Sequence, residues 1–364
     1  MKKIILCPAL FFFCLHAFPQ GGYLTGNVID AATKAPMQAA SVFAQNTTMG
    51  TATGADGNFK FWLPNGGYDL IITFTGYETV TKRITVADAA GNNIAVEMKR
   101  KEQSMEEVAI RTSNEVKDGW LKYGGFFIEN FIGKTVNSAQ CSIENPAALK
   151  FYFSKKRNRL KVLAEEPVNI VNKSLGYTIK YTLDSFVYDY NNNTSLYMGY
   201  ALFEEISADS IVKLNWHAAR MKAYKGSVLH FMRSVFNKTI KEEGFEIQLV
   251  ANNRGQDTVL RIKNPYGALG YTKEDSTQTV DILPTQPDVA VLYKNETPEE
   301  AYSNLNPEAP KKFQLSVMNI NIAQQQTVSI EQNGFYYDQT DINFTGYWAW
   351  EKMADMLPYD FKPD

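Results

Sequence analysis

Residues 24–98 constrain the fold of this 364-residue chain more than any other stretch, because apolar and polar positions alternate there with the period of a β-strand and break at turn residues. Leu24, Gly26 and Val28 alternate with Thr25 and Asn27, residues 30–36 read as a turn, and residues 40–44 form a second short strand. Asp56-Gly57, following Thr51-Ala52-Thr53, is a hairpin signal because glycine adopts positive φ without strain. Phe59 and Phe61 alternate with Lys60, and Pro64-Asn65-Gly66-Gly67 closes that strand. Residues 68–74 are the most buried-looking run and end at Gly76-Tyr77. Residues 79–86 and 93–98 complete a set of about seven short strands with no helical period, the pattern of a β-sandwich.

Ahead of this module, Lys2 and Lys3 precede an apolar run through Leu15 that is too short for a bilayer-spanning helix, which reads as a signal peptide over residues 1–20 with cleavage after Gln20. Cys14 follows Phe11-Phe12-Phe13 rather than the small residues of a lipidation site. Removal of the leader takes Cys7 and Cys14, so Cys141 is the only cysteine left and no intrachain disulfide is expected. It also leaves 35 basic against 39 acidic residues, a net charge of −4 that is no footprint for nucleic acid. No later segment is apolar enough to be a transmembrane helix. The expected localisation is exported, periplasmic or outer-membrane associated.

Several spaced elements of the module carry a resemblance: Gly26-x-Val28-x-Asp30, Pro36 with Ala40-x-Val42, Thr53-x-x-Asp56-Gly57-x-Phe59, and Tyr68-x-Leu70 through Gly76-Tyr77. Together they resemble the carboxypeptidase-regulatory-like domain of Bacteroidota envelope proteins, with Gly54 standing where that family usually has Asp. The resemblance implies a transthyretin-like fold over residues 21–99 and an accessory role without catalytic residues. A similar module precedes the plug and barrel of TonB-dependent receptors, but the residues that follow here are too few for a 22-stranded barrel, and receptor identity is not expected.

A charged stretch at residues 100–115 reads as a linker, and residues 116–364 as a larger, sheet-dominated α+β domain. Residues 116–132 show helical spacing. Residues 149–153 and 160–163 read as strands, and residues 175–183 alternate strictly. Asp189 to Asn193 mark a hairpin tip returning through residues 196–203. From Trp216, the residues Tyr224, Val228, Phe231 and Val235 fall on one face of a single long helix, with Phe236 and Ile240 alongside, that Glu242-Glu243-Gly244 ends. Residues 245–250, 258–262, 313–322, 327–330 and 342–348 read as strands, and residues 352–357 as a short closing helix. Residues 172–181, 216–231 and 346–360 resemble an uncharacterised region that accompanies the first module in similar secreted proteins, which implies no activity.

The module's name raises a zinc-peptidase question that the histidines answer. Only His217 and His230 follow the leader, with no His-Glu-x-x-His pattern, whereas catalytic zinc takes three protein ligands. Ser227 and His230 lack the Gly-x-Ser-x-Gly elbow of a serine hydrolase, and Cys141 is no better placed as a nucleophile. The pairs Glu165-Glu166, Glu204-Glu205 and Glu242-Glu243 read as solvated surface, since neighbours on a strand face opposite ways. Asp189 with Asn191 and Asn193 lacks the later Gly and Glu of a calcium loop. Asp209-Ser210-Ile211 and Asp257-Thr258-Val259 match a short O-glycosylation pattern. Trp348 and Trp350 are the candidate ligand-binding residues: on a strand, alternate positions place both rings on one face, as a sugar platform requires, while core packing satisfies the same spacing.

The expectation is therefore a mainly β, non-enzymatic exported cell-envelope protein. It would act by binding an unknown envelope protein or glycan, with no cofactor, no metal and no catalytic residues, and with the sandwich as accessory or docking module. A glycan-binding protein using Trp348 and Trp350, and a hydrolase whose carboxylates assemble only in the fold, are the alternatives.

Overall fold

The computed structural model describes residues 21–89, 91–101, 114–253, 256–274, 279–320, 327–339 and 342–363. The expected leader and most of the expected linker lie outside these residues.

The first module is the expected seven-stranded sandwich. One sheet has the order β4-β1-β7, from β1 (Gly21–Asp30), β4 (Asn58–Pro64) and β7 (Asn93–Met98). The other runs β3-β2-β5-β6, from β2 (Ser41–Ala44), β3 (Gly50–Ala52), β5 (Gly67–Thr73) and β6 (Val80–Thr85). The alternation seen in the sequence is the alternation of faces: Phe59, Phe61 and Leu63 of β4 point into the core with Leu24 and Val28 of β1. The family-like positions hold this core together. Asp30 accepts from the backbone N–H groups of Ala32 and Thr33 at 2.9 and 2.8 Å and from the Tyr77 hydroxyl at 2.6 Å. The Tyr77 hydrogen bond, followed by that from the Thr33 backbone, holds the Asp30 carboxyl well below the usual carboxylate range.

β5 reads as continuously apolar because both of its faces are covered. Leu70 and Ile72 face the sandwich core, while Ile71, paired with Phe43 of β2, faces outward and is still 0% exposed. On that same outward face, Arg83 reaches Asp338 at 3.4 Å and lies 4.0 Å over the Tyr337 ring, and Thr81 donates to Tyr200. The larger region therefore docks on the β2–β5–β6 face. The seam is closed by main chain: the N–H of Asn46 donates to Ala201 O and the N–H of Phe203 to Thr47 O, both at 2.9 Å, and Thr47 bridges Leu202 in parallel. The β2–β3 turn thus extends the larger region's first sheet by a short parallel pairing.

That first sheet contains β8 (Cys141–Ile143), β9 (Leu149–Ser154), β10 (Arg159–Ala164), β11 (Val168–Asn172), β12 (Tyr177–Asp189) and β13 (Thr194–Glu205). β12 pairs with β13 along its length on one side, and with β11 and then β10 on the other. Helix α1 (Gly119–Phe131) packs Phe127 and Phe131 into its core. A second sheet runs β15-β14-β18-β19-β21, from β14 (Phe245–Asn253), β15 (Gln256–Arg261), β18 (Asp288–Tyr293), β19 (Gln314–Ile320) and β21 (Ile342–Gly346). A small sheet of β16 (Thr272–Glu274), β17 (Thr279–Ile282) and β20 (Val328–Ile330) shares its core.

Three expectations need correction. The single long helix is two, α2 (Ser210–Tyr224) and α3 (Val228–Phe236), broken where Gly226 takes φ +81° and the Ser227 hydroxyl caps α3 by accepting from the N–H of His230. The closing helix over residues 352–357 is a run of turns: the N–H of Ala354 bonds Ile132 O at 2.9 Å and Asn172 Nδ2 donates to Ala354 O at 2.8 Å, tying it to neighbouring elements. The last strand stops at Gly346, and a one-turn helix, α5 (Tyr347–Trp350), takes its place. α4 (Glu300–Leu305) precedes β19.

Candidate functional site

The change from strand to helix at Gly346 decides the geometry of the two candidate tryptophans. Two positions apart on a helix, side chains diverge by about 200° instead of sharing a face. Trp348 is 5% exposed, its indole N–H donates to Gly226 O at 2.7 Å, and its ring meets Phe231 and Phe344 at 5.3 and 5.4 Å. Trp350 is half-buried on another side, donates to Glu299 at 3.1 Å and stands edge-on to Tyr302 at 5.7 Å. The two rings do not form the shared platform expected of a strand, and Trp348 is a core residue.

His230 lies in an aromatic box of Tyr224, Phe245 and Tyr293. Its Nδ1 accepts from the Gly226 N–H at 3.1 Å, which places the proton on Nε2, 3.1 Å from Glu243. Burial lowers its pKa. Both ring nitrogens are thereby engaged, and the Ser227 hydroxyl bonds to Tyr224 O and to the N–H of His230 rather than to the ring. Glu204 and Glu205 face opposite ways, to Lys180 at 2.6 Å and Arg220 at 2.7 Å. Asp189 binds Arg159 and the N–H of Asn191, which fixes the hairpin tip. Cys141 is half-buried, and burial pushes its thiol up to about 12. Among the described residues no group of three His, Cys, Asp or Glu side chains is placed to hold a metal ion, and no helix is long and apolar enough to cross a membrane.

One carboxylate assembly escaped the sequence reading because its members come from distant segments. Burial holds Glu351 well above the usual carboxylate range, and Asp355, Glu296 and Glu299 add repulsion. Asp355 accepts from Thr135 Oγ1 at 2.7 Å and Asn137 Nδ2 at 2.8 Å, yet burial still raises its carboxyl to about 6. A folded value above the unfolded one means that Asp355 contributes stability that is complete below 3.8 and is lost as pH rises through about 6. His230 works the other way: its lowered pKa contributes stability that is complete above 6.5 and lost as pH falls through the folded value. Urea unfolding at pH 4, 5, 6 and 7 is therefore expected to show stability that falls less, or rises more, between pH 4 and 6 in Asp355→Asn than in the unsubstituted protein. An identical profile would place the Asp355 carboxyl in solvent.

A concavity lies at the other end of α5. A groove of about 490 Å³ runs between α4 with the Asn306-Pro307-Glu308-Ala309-Pro310 loop and the β19–β21 pair. Leu315 and Val317 form its floor, Tyr302 and Leu305 one wall, and Thr345 with Gly346 its rim. Tyr347 and Trp350 buttress Tyr302 from behind, so Trp350 acts on the groove through its neighbour. β21 is the last strand of its sheet, and Asn343, Thr345 and Gly346 are exposed along it. Leu305, 63% exposed, overhangs the wall.

Two facing three- and four-stranded sheets with a clamped Asp30–Tyr77 pair define the N-terminal part as a small β-sandwich. Residues 24–110 match the family model described as the CarboxypepD_reg-like domain, so the chain carries such a domain there. The match runs past Met98 into the charged stretch that reads as a boundary in the sequence. No curated protein matches the chain.

Proposed function

We propose that this is an exported, non-enzymatic protein of the cell envelope, periplasmic or outer-membrane associated, that acts by binding an extended segment of a partner protein along β21. The observation that carries this reading is the apolar groove of about 490 Å³ beside a sheet edge that no described strand pairs. An edge strand offers a row of main-chain donors and acceptors, which only another polypeptide strand complements in register, and the groove takes that strand's apolar side chains. The leader supports export. The sandwich serves as an accessory that braces the first sheet through the β2–β3 turn. The engaged ring nitrogens of His230 and the lack of a Gly-x-Ser-x-Gly elbow at Ser227 favour binding over hydrolysis.

The test is site-specific photo-crosslinking in intact cells from positions Thr345 and Leu305, with the distant exposed Leu121 as control. A covalent protein adduct from the two groove positions, lost when Val317→Asp puts a charge on the floor, is the expected outcome. No adduct from either groove position, or hydrolytic activity in the purified protein, would overturn the proposal.

A further inference from the structure

The sandwich has two outer faces, and the larger region covers only one. The outward face of β2 and β5 is buried at the seam; the face of β4, β1 and β7 is open among the described residues. On the open face, Tyr23 of β1 and Trp62 of β4 are direct cross-strand partners. They are 57% and 37% exposed, in a module whose other aromatic side chains mostly point into its core. The Trp62 ring packs close to Gly21, where an added Cβ would stand 2.5 Å from it, and still keeps part of its surface in solvent. Lys60 holds its ammonium 4.6 Å over the Tyr23 ring. The next row across the sheet is Lys60, Thr25 and Asn93, and the one after it Asn58, Asn27 and Ala95. The face is thus two neighbouring aromatic rings followed by an ammonium, a hydroxyl and amides.

We infer that this face binds an acidic polysaccharide. The axial C–H groups of a pyranose ring are apolar and slightly positive and stack on aromatic faces, whose π-systems are negative. The hydroxyl groups of the same ring take hydrogen bonds from amides and hydroxyls such as Asn93 and Thr25. Lys60 is the charge on this part of the face, with no carboxylate partner among the described residues, and it matches a uronic-acid carboxylate. Neighbouring strands stand about 4.8 Å apart, which presents Tyr23 and Trp62 to successive rings of one chain. This site is independent of the β21 groove, and it moves a glycan-binding reading from Trp348 and Trp350 to Tyr23 and Trp62.

Calorimetric titration of the full exported chain with polygalacturonate, with dextran as the neutral comparison, tests the inference. The expected result is binding of polygalacturonate that Trp62→Ser and Tyr23→Ser each weaken about tenfold, that Lys60→Gln also weakens, and that Leu121→Ser leaves unchanged. Circular dichroism melts of the variants separate loss of the site from loss of the fold. Absence of polygalacturonate binding, equal binding of dextran, or binding unchanged by Trp62→Ser would overturn it. Crosslinking at Thr345 and Leu305 reports on the groove alone, so either site can fail without the other.

Discussion

Trp348→Ala is expected to lower the free energy of unfolding by about 3–5 kcal/mol, the range for removing a large aromatic side chain from a packed core. Trp348 is closed in by Phe231 and Phe344, and its indole N–H is the donor to Gly226 O, so truncation opens a cavity and strips a buried carbonyl of its partner at once. Trp350→Ala removes a half-buried ring whose N–H meets a carboxylate, and its loss is expected to be about 1–2 kcal/mol. Urea-unfolding midpoints of the two variants decide the matter. Equal losses would mean that the two rings share one environment.

Gly226→Ala is expected to be nearly as damaging, by about 2–4 kcal/mol. Gly226 holds φ +81°, which costs an L-residue about 1–2 kcal/mol. An added Cβ would also stand 2.4 Å from Gln314 Oε1 and 2.7 Å from the Tyr293 ring, and overpacking of this kind costs about 1–3 kcal/mol. Gly125→Ala on helix α1 is the control: nothing lies within 4 Å of its Cβ position and its φ is ordinary for a helix, so alanine there is neutral or stabilising by up to about 1 kcal/mol. Because Gly226 accepts from Trp348 and donates to His230, the double variant Gly226→Ala with Trp348→Ala is expected to lose less than the sum of the two. Strict additivity would show that the joint between α2 and α3 is not held through that glycine.

The joint also shows where sequence reading stopped. Tyr224, Val228, Phe231 and Val235 do lie on faces that the helical period connects, but a period cannot register one residue in the left-handed region, and Gly226-Ser227 is the only local sign of the break. The strand β18, central to the second sheet, is not legible from the period although Val289 to Tyr293 is a continuous apolar run, because such a run carries no alternation to count. Glu296, Glu299, Glu351 and Asp355 were not legible as a group, since only the return of the C-terminal segment past Thr135 and Asn137 brings them together.

By itself the sequence determined the sandwich: its seven strands, its turns and its inward residues follow from alternation and from Gly and Asp at turn positions, which act over a few residues. It also marked residues 68–74 as the most buried-looking strand. Tertiary structure alone decided what covers it, that Trp348 belongs to a core while Trp62 stays open, and that the sheet edge at β21 borders a groove. Those outcomes depend on which distant surfaces meet, and a side chain's local pattern is the same whether a neighbouring sheet or water lies beyond it.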